Sequence, residues 1–202
     1  AKKKKNIINA VLEKINFWMI GGKKDDKKFD QIVKKEAEIL AQGSNFDLSV
    51  KRIKEEIENI LASSLFHKYS NGLSNAKTEL TLTMPLGKDF INGKIDMLIK
   101  DPEGRSEIWD WKTNIVDSAR KFDELSQYYL PQMLFYAYLL MHLEPEHKEY
   151  KARLLFTKLA NKNASDDEWT KLFIWKKDEL RDYGGYLKKK IPQLELLSFE
   201  LL

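Results

Sequence analysis

The chain has 202 residues, 43% of them hydrophobic, with 35 Lys and Arg against 31 Asp and Glu for a net charge of +4, and it contains no cysteine. The missing cysteine excludes disulfides, thiolate zinc sites, iron–sulfur clusters and cysteine nucleophiles, so any metal must take oxygen or histidine ligands. No window approaches the ~18 consecutive apolar residues of a membrane helix, and Ala1-Lys2-Lys3-Lys4-Lys5 leads into an amphipathic segment instead of a signal-peptide core, so the expectation is a single cytoplasmic globule with no membrane partner, whose balanced charge favours nucleic acid only weakly.

The first 66 residues read as three amphipathic helices. Ile7, Ile8, Val11, Leu12, Ile15 and Met19 recur at three- and four-residue spacing, as do Phe29, Ile32, Val33, Ala37 and Leu40, and then Val50, Ile53, Ile57, Ile60 and Leu61. Gly21-Gly22 and Gly43-Ser44 separate them, with Ser49 as the expected cap before Val50. His67 to Ala76 reads as a loop. The period then changes: Thr78 to Met84, Phe90 to Ile99 and Glu107 to Thr113 read as three strands of a meander, with turns at Gly87-Lys88 and Pro102-Glu103-Gly104. An apolar helix is expected from Pro131, at its first position, to about Leu143. Strands near Arg153 to Thr157 and Trp169 to Trp175, and a closing helix from about Asp178 to Ile191, complete the chain. The lysine clusters at 2–5, 23–24 and 27–28 read as solvated faces.

Charges inside the strands raise the question of chemistry. Alternation puts Ile108, Asp110 and Lys112 on one face and Trp109 and Trp111 on the other. In the preceding strand, Lys94, Asp96 and Leu98 should share a face opposite Ile95, Met97 and Ile99, and a hairpin near Gly104 can bring Asp96 beside Asp110. Two carboxylates repel unless a cation sits between them, and Mg2+ takes carboxylate oxygens as ligands. Spacing alone leaves open a blander arrangement, an Asp–Lys pair decorating the solvent face of a sheet.

The ordered set Gly93-Lys94-Ile95-Asp96, Asp110-Trp111-Lys112-Thr113-Asn114, and Gln132 with Tyr136 resembles the nuclease domain of the RecB and AddA helicase–nucleases, in the PD-(D/E)xK or restriction-endonuclease-like superfamily. Glu79-Leu80-Thr81-Leu82-Thr83-Met84-Pro85 is similar to that family's glutamate-led strand, and the likeness runs from about residue 76 to 160. It implies an α/β fold, a mixed central sheet flanked by helices, as one domain over 1–202: a helical part at 1–66, a nuclease core at 76–160, and a terminal strand and helix at 161–202.

The resemblance also implies roles. Asp96 and Asp110 would hold Mg2+, with Mn2+ as a possible substitute, helped by the Trp111 carbonyl and by Glu79 directly or through water. Lys112 would orient the attacking water and stabilise transition-state charge. Gln132 and Tyr136, four residues apart near a helix start, would position a DNA strand, although an aromatic run with Phe135 and Tyr138 also reads as core. Family members carry a histidine in the first helix; Asn9 stands in its place, and His67, His142 and His147 do not supply it. The chain has no Gly-x-x-x-x-Gly-Lys-Ser/Thr phosphate loop, so the resemblance implies a helicase region elsewhere in the same polypeptide and a partner subunit, as in RecBCD- or AddAB-like complexes, processing single-stranded ends at double-strand breaks. The alternatives are a nuclease-like domain that guides DNA or docks a partner without catalysis, and an interaction domain whose charged triplet is ordinary surface.

Overall fold

The computed structural model describes residues 11, 27, 29, 31–35, 46–73 and 75–199. Three helices, α1 (Phe46–Leu61), α2 (Ser64–Lys68) and α3 (Ser70–Leu73), lead into the meander β1 (Lys77–Leu86), β2 (Asp89–Lys100) and β3 (Ser106–Lys112). Helix α4 (Ala119–Leu143) carries the chain to β4 (Glu149–Phe156), after which a short 3₁₀ turn and α5 (Asp166–Trp169) lead to β5 (Thr170–Lys176) and α6 (Lys177–Phe199). The strands form one sheet in the order β1-β2-β3-β4-β5. Neighbours run antiparallel except β3 and β4, which pair in parallel, as a strand–helix–strand crossover requires. This is the expected mixed α/β sheet flanked by helices. No described helix is long and apolar enough to cross a membrane.

Apolar side chains fill both faces of the sheet. Ile53, Ile57 and Ile60 of α1 lie on one helical stripe and pack, with Phe66, against Met97, Ile99, Trp109 and Trp111; Val11, Phe29 and Val33 are buried in the same cluster. On the other face Met133, Ala137 and Leu140 of α4 meet Leu82, Met84, Ile95, Ile108 and Leu154. The Trp109 and Trp111 rings stand edge to face at 5.9 Å, with Phe66 5.4 Å from Trp109. Alternation along β3 is therefore as expected.

Several local expectations fail for identifiable reasons. Helix α1 begins at Phe46, so Ser49 lies inside it and is no cap. The stretch from His67 to Ala76 is mostly helical: Ser63 accepts from Phe66 N and caps α2, and α3 follows. Helix α4 starts at Ala119, with Ser118 Oγ accepting from Lys121 N at 3.2 Å, so Pro131 sits mid-helix. An interior proline costs roughly 3 kcal/mol, and the buried stripe on either side of it offsets that. In β2 the alternation breaks at Asp96: Ile95 and Leu98 both join the α4 side, while Met97 and Ile99 face the tryptophans. Leu98 therefore lies on the side of Ile95 and does not share a face with Lys94 as regular alternation requires. Opposite the break, Glu79 has φ +51°, uncommon for a residue with a Cβ. The ladder pairs Thr78 with Met97 and Leu80 with Ile95, bracketing Glu79 and Asp96 without pairing them.

Candidate active site

The site lies where β2 and β3 part. Their ladder ends at the Met97–Trp109 pair, one step before that register would set Asp96 opposite Asp110. Instead Asp96 Oδ2 accepts a hydrogen bond from Trp111 N at 2.8 Å, which ties the departing strand to the backbone just past Asp110. A helix then closes the fork from one side. Gly93 allows this approach, because a Cβ there would lie 2.8 Å from Leu139 Cδ1 and 3.1 Å from Tyr136 Cε1.

Asp110 and Lys112 are 1% and 4% exposed, which overturns the solvent-face alternative. Lys112 Nζ lies 2.5 Å from Asp110 Oδ2 and donates to Gln132 Oε1 at 2.9 Å. Gln132 Nε2 donates to Tyr136 Oη at 2.7 Å and approaches Asp110 Oδ1 at 3.4 Å. Tyr136 Oη donates in turn to the Lys94 carbonyl at 2.7 Å. A continuous polar chain thus runs from β3 through α4 to β2. Because α4 starts at Ala119, Gln132 and Tyr136 are far from the free N–H groups of its first turn, and the expected support from a helix terminus is absent. Tyr136 belongs at once to the buried α4 cluster and to this chain of hydrogen bonds.

Electrostatics reflect the convergence of acids. Burial pushes the Tyr136 pKa from 10.0 to about 12; Gln132's hydrogen bond opposes this, while Asp110, Asp96 and Glu79 raise it further. The phenol therefore remains a hydrogen-bond donor at neutral pH. Half-buried Glu79 forms an ion pair with Lys94. Among the described residues, the three acid or histidine side chains whose ligand atoms all fall within 4.8 Å of one another are Glu144, Glu146 and His147, beyond the far end of α4. Glu79 completes no such trio with Asp96 and Asp110. Asp110 Oδ2 nonetheless accepts no hydrogen bond of good geometry although it is buried. A buried carboxylate oxygen with no hydrogen bond of its own is the donor type that a hard divalent ion takes. Asn9 lies outside the described residues.

Two features escaped the sequence reading. Tyr129 lays its ring 3.8 Å from Lys112 Nζ, and its hydroxyl donates to Asn114 Oδ1 at 3.2 Å. Across the sheet, buried Glu107 accepts from Arg153 Nε at 2.7 Å, Tyr69 Oη at 2.7 Å and Trp109 Nε1 at 2.8 Å. This second buried ion pair is fully bonded, unlike Asp110, and joins α3's neighbourhood to β3 and β4. The available signal was the same in both cases: a charge inside an apolar strand.

The family model described as the PD-(D/E)XK nuclease superfamily matches residues 7–199. That span is wider than the 76–160 over which the motifs alone carry a likeness. No curated protein matches the chain.

Proposed function

The chain belongs to the PD-(D/E)XK nuclease superfamily, and from that premise we propose that it is a Mg2+-dependent deoxyribonuclease domain of a RecB- or AddA-like helicase–nuclease, cutting single strands delivered during double-strand-break processing. One observation carries the reading: a buried acid, Asp110, is ion-paired through Oδ2 with Lys112 and that oxygen accepts no hydrogen bond, at a fork in the sheet where Asp96 also sits. An ordinary sheet surface has no reason to bury that combination, since taking charges out of water costs several kcal/mol per ion.

Asp96 and Asp110 would hold the ion, with the Trp111 carbonyl as a further oxygen donor. Bound there, Mg2+ would lower the pKa of a water and offset charge on the scissile phosphate. Lys112 works in a poorly hydrated pocket, where a fixed ammonium stabilises developing negative charge more strongly than in bulk water. Its position is set by Gln132, which also touches Asp110 and Tyr136, so the glutamine aligns the cation with the acid. Tyr136, protonated throughout the neutral range, fixes Gln132 from behind and anchors it to β2. Their i and i+4 placement is thus a brace for Lys112 as much as a contact for a DNA strand.

The test is a titration of a labelled single strand with Mg2+, Mn2+ and EDTA. Metal-dependent cleavage is expected. Binding without cleavage under every metal would make the domain a DNA guide, and neither binding nor cleavage would overturn the reading.

A further inference from the structure

Beside Lys112 the protein exposes aromatic surface that the proposed chemistry does not use. Tyr128 is 74% exposed and Ile115 72% exposed, while the Tyr128 ring stands edge-on to Tyr129 at 5.0 Å. Tyr129 in turn covers Lys112 Nζ. Its hydroxyl bond to Asn114 fastens the loop that carries Ile115 to this part of α4. Single exposed apolar residues are common and need no explanation. Here the exposed ring is one aromatic contact away from the ammonium proposed to meet the scissile phosphate.

Resting on the nuclease reading, we propose that Tyr128 is a stacking platform for one unpaired base of the substrate strand, next to the phosphate that Lys112 engages. A nucleobase presents a flat π-face to any exposed aromatic ring, and such stacking is tolerant of base identity. A base held within a duplex keeps its own neighbours and cannot turn onto the ring, so the platform selects single strands without reading sequence. Tyr129 would link the two events, since its ring contacts both the Tyr128 ring and the Lys112 ammonium. Ile115 would form an apolar rim.

Steady-state cleavage of a labelled single strand separates stacking from a structural role. Tyr128→Ala should raise KM ~10-fold or more, with kcat changed far less, and Tyr128→Phe should behave as wild type because it keeps the ring. A strand lacking the bases near the cleavage point should bring wild type down to the Tyr128→Ala level and leave that variant unaffected. An unchanged KM for Tyr128→Ala, or an equal loss on the abasic strand, overturns the platform. A second measurement does not need catalysis: quenching of a 2-aminopurine strand in EDTA. Quenching that vanishes in Tyr128→Ala supports the platform even if no metal yields cleavage, a result that would sink the nuclease reading alone. Absent quenching by wild type, or equal quenching by Tyr128→Ala, overturns the platform even where cleavage is robust.

Discussion

Lys112 Nζ lies 2.5 Å from Asp110 Oδ2 with both side chains almost wholly out of water. Each charge makes the other's burial tolerable, so removing one strands its partner. Lys112→Ala should destabilise the domain by about 3–5 kcal/mol, and adding Asp110→Asn should recover most of that loss. Urea unfolding of the single and double variants measures it. A double variant no more stable than Lys112→Ala would show that the two charges do not compensate each other. Cleavage by folded Lys112→Ala, assayed well below its melting temperature, should fall on the order of 10²-fold or more.

Asp96 has a structural bond as well as a proposed ligand role, and the substitution must respect both. Asp96→Asn keeps an oxygen for the Trp111 N–H, so the fold should survive, whereas Asp96→Ala strands that donor at a cost of about 1–3 kcal/mol. Asp96→Asn and Asp110→Asn should each abolish metal-dependent cleavage. Wild-type rates in either would remove that residue from the ion's ligand set.

Gln132→Ala takes away the amide that holds Lys112 and touches Asp110. Its kcat should drop ~10-fold or more while DNA affinity changes little. Tyr136→Phe, which keeps the packing and loses only the bonds to Gln132 and the Lys94 carbonyl, should show a smaller loss of the same kind. If both cut at the parental rate, this stripe of α4 serves packing alone.

Alkaline titration follows from Tyr136. Its pKa rises from 10.0 to about 12 on folding, so between those values the unfolded phenol loses its proton while the native one keeps it. Stability is then unaffected below pH 10 and declines as pH climbs from 10 toward 12. Tyr69 is shifted upward as well, by burial first and then by Glu107, and adds to the decline. Tyr136→Phe should flatten the dependence of unfolding free energy on pH in that window. An unchanged slope would show that the phenol is not held in its neutral form.

Asn9 stands where the resemblance places a histidine. If it neighbours the ion, Asn9→His should raise Mn2+-supported cleavage more than Mg2+-supported cleavage, because imidazole nitrogen favours the transition metal. Equal gains with both ions would dismiss Asn9 as a neighbour of the site.

Regular alternation made the strands and the Asp110–Lys112 face legible, because a period of two needs nothing beyond local sequence. The fork was not legible. It lies where the β2–β3 ladder stops after Met97, and on the other side of β2 Glu79 takes a left-handed φ that nothing in its local sequence dictates. Pro131 misled for a different reason: a proline usually marks a first turn, and only the packing of Met133, Tyr136 and Ala137 against the sheet shows why α4 runs through it. With the helix start misplaced, Tyr128 and Tyr129 fell outside the expected element and their relation to Lys112 stayed hidden. Glu107 and Arg153 were visible as charges in strands, but their partner Tyr69 fell in a stretch that reads as loop.

The order of strands also fixes how far along the chain each part of the site must be gathered. Glu79, Asp96 and Asp110 sit on a meander whose strands are neighbours along the chain, so short loop closures suffice to gather them. The amide that steadies Lys112 arrives only with α4, and β3 gains its parallel neighbour β4 only after that whole helix has crossed the sheet. The acids therefore come from one hairpin-linked stretch, while their brace comes from a separate helix later in the chain. Without α4 and β4, β3 would be an uncovered edge and Lys112 would lack the amide that holds it.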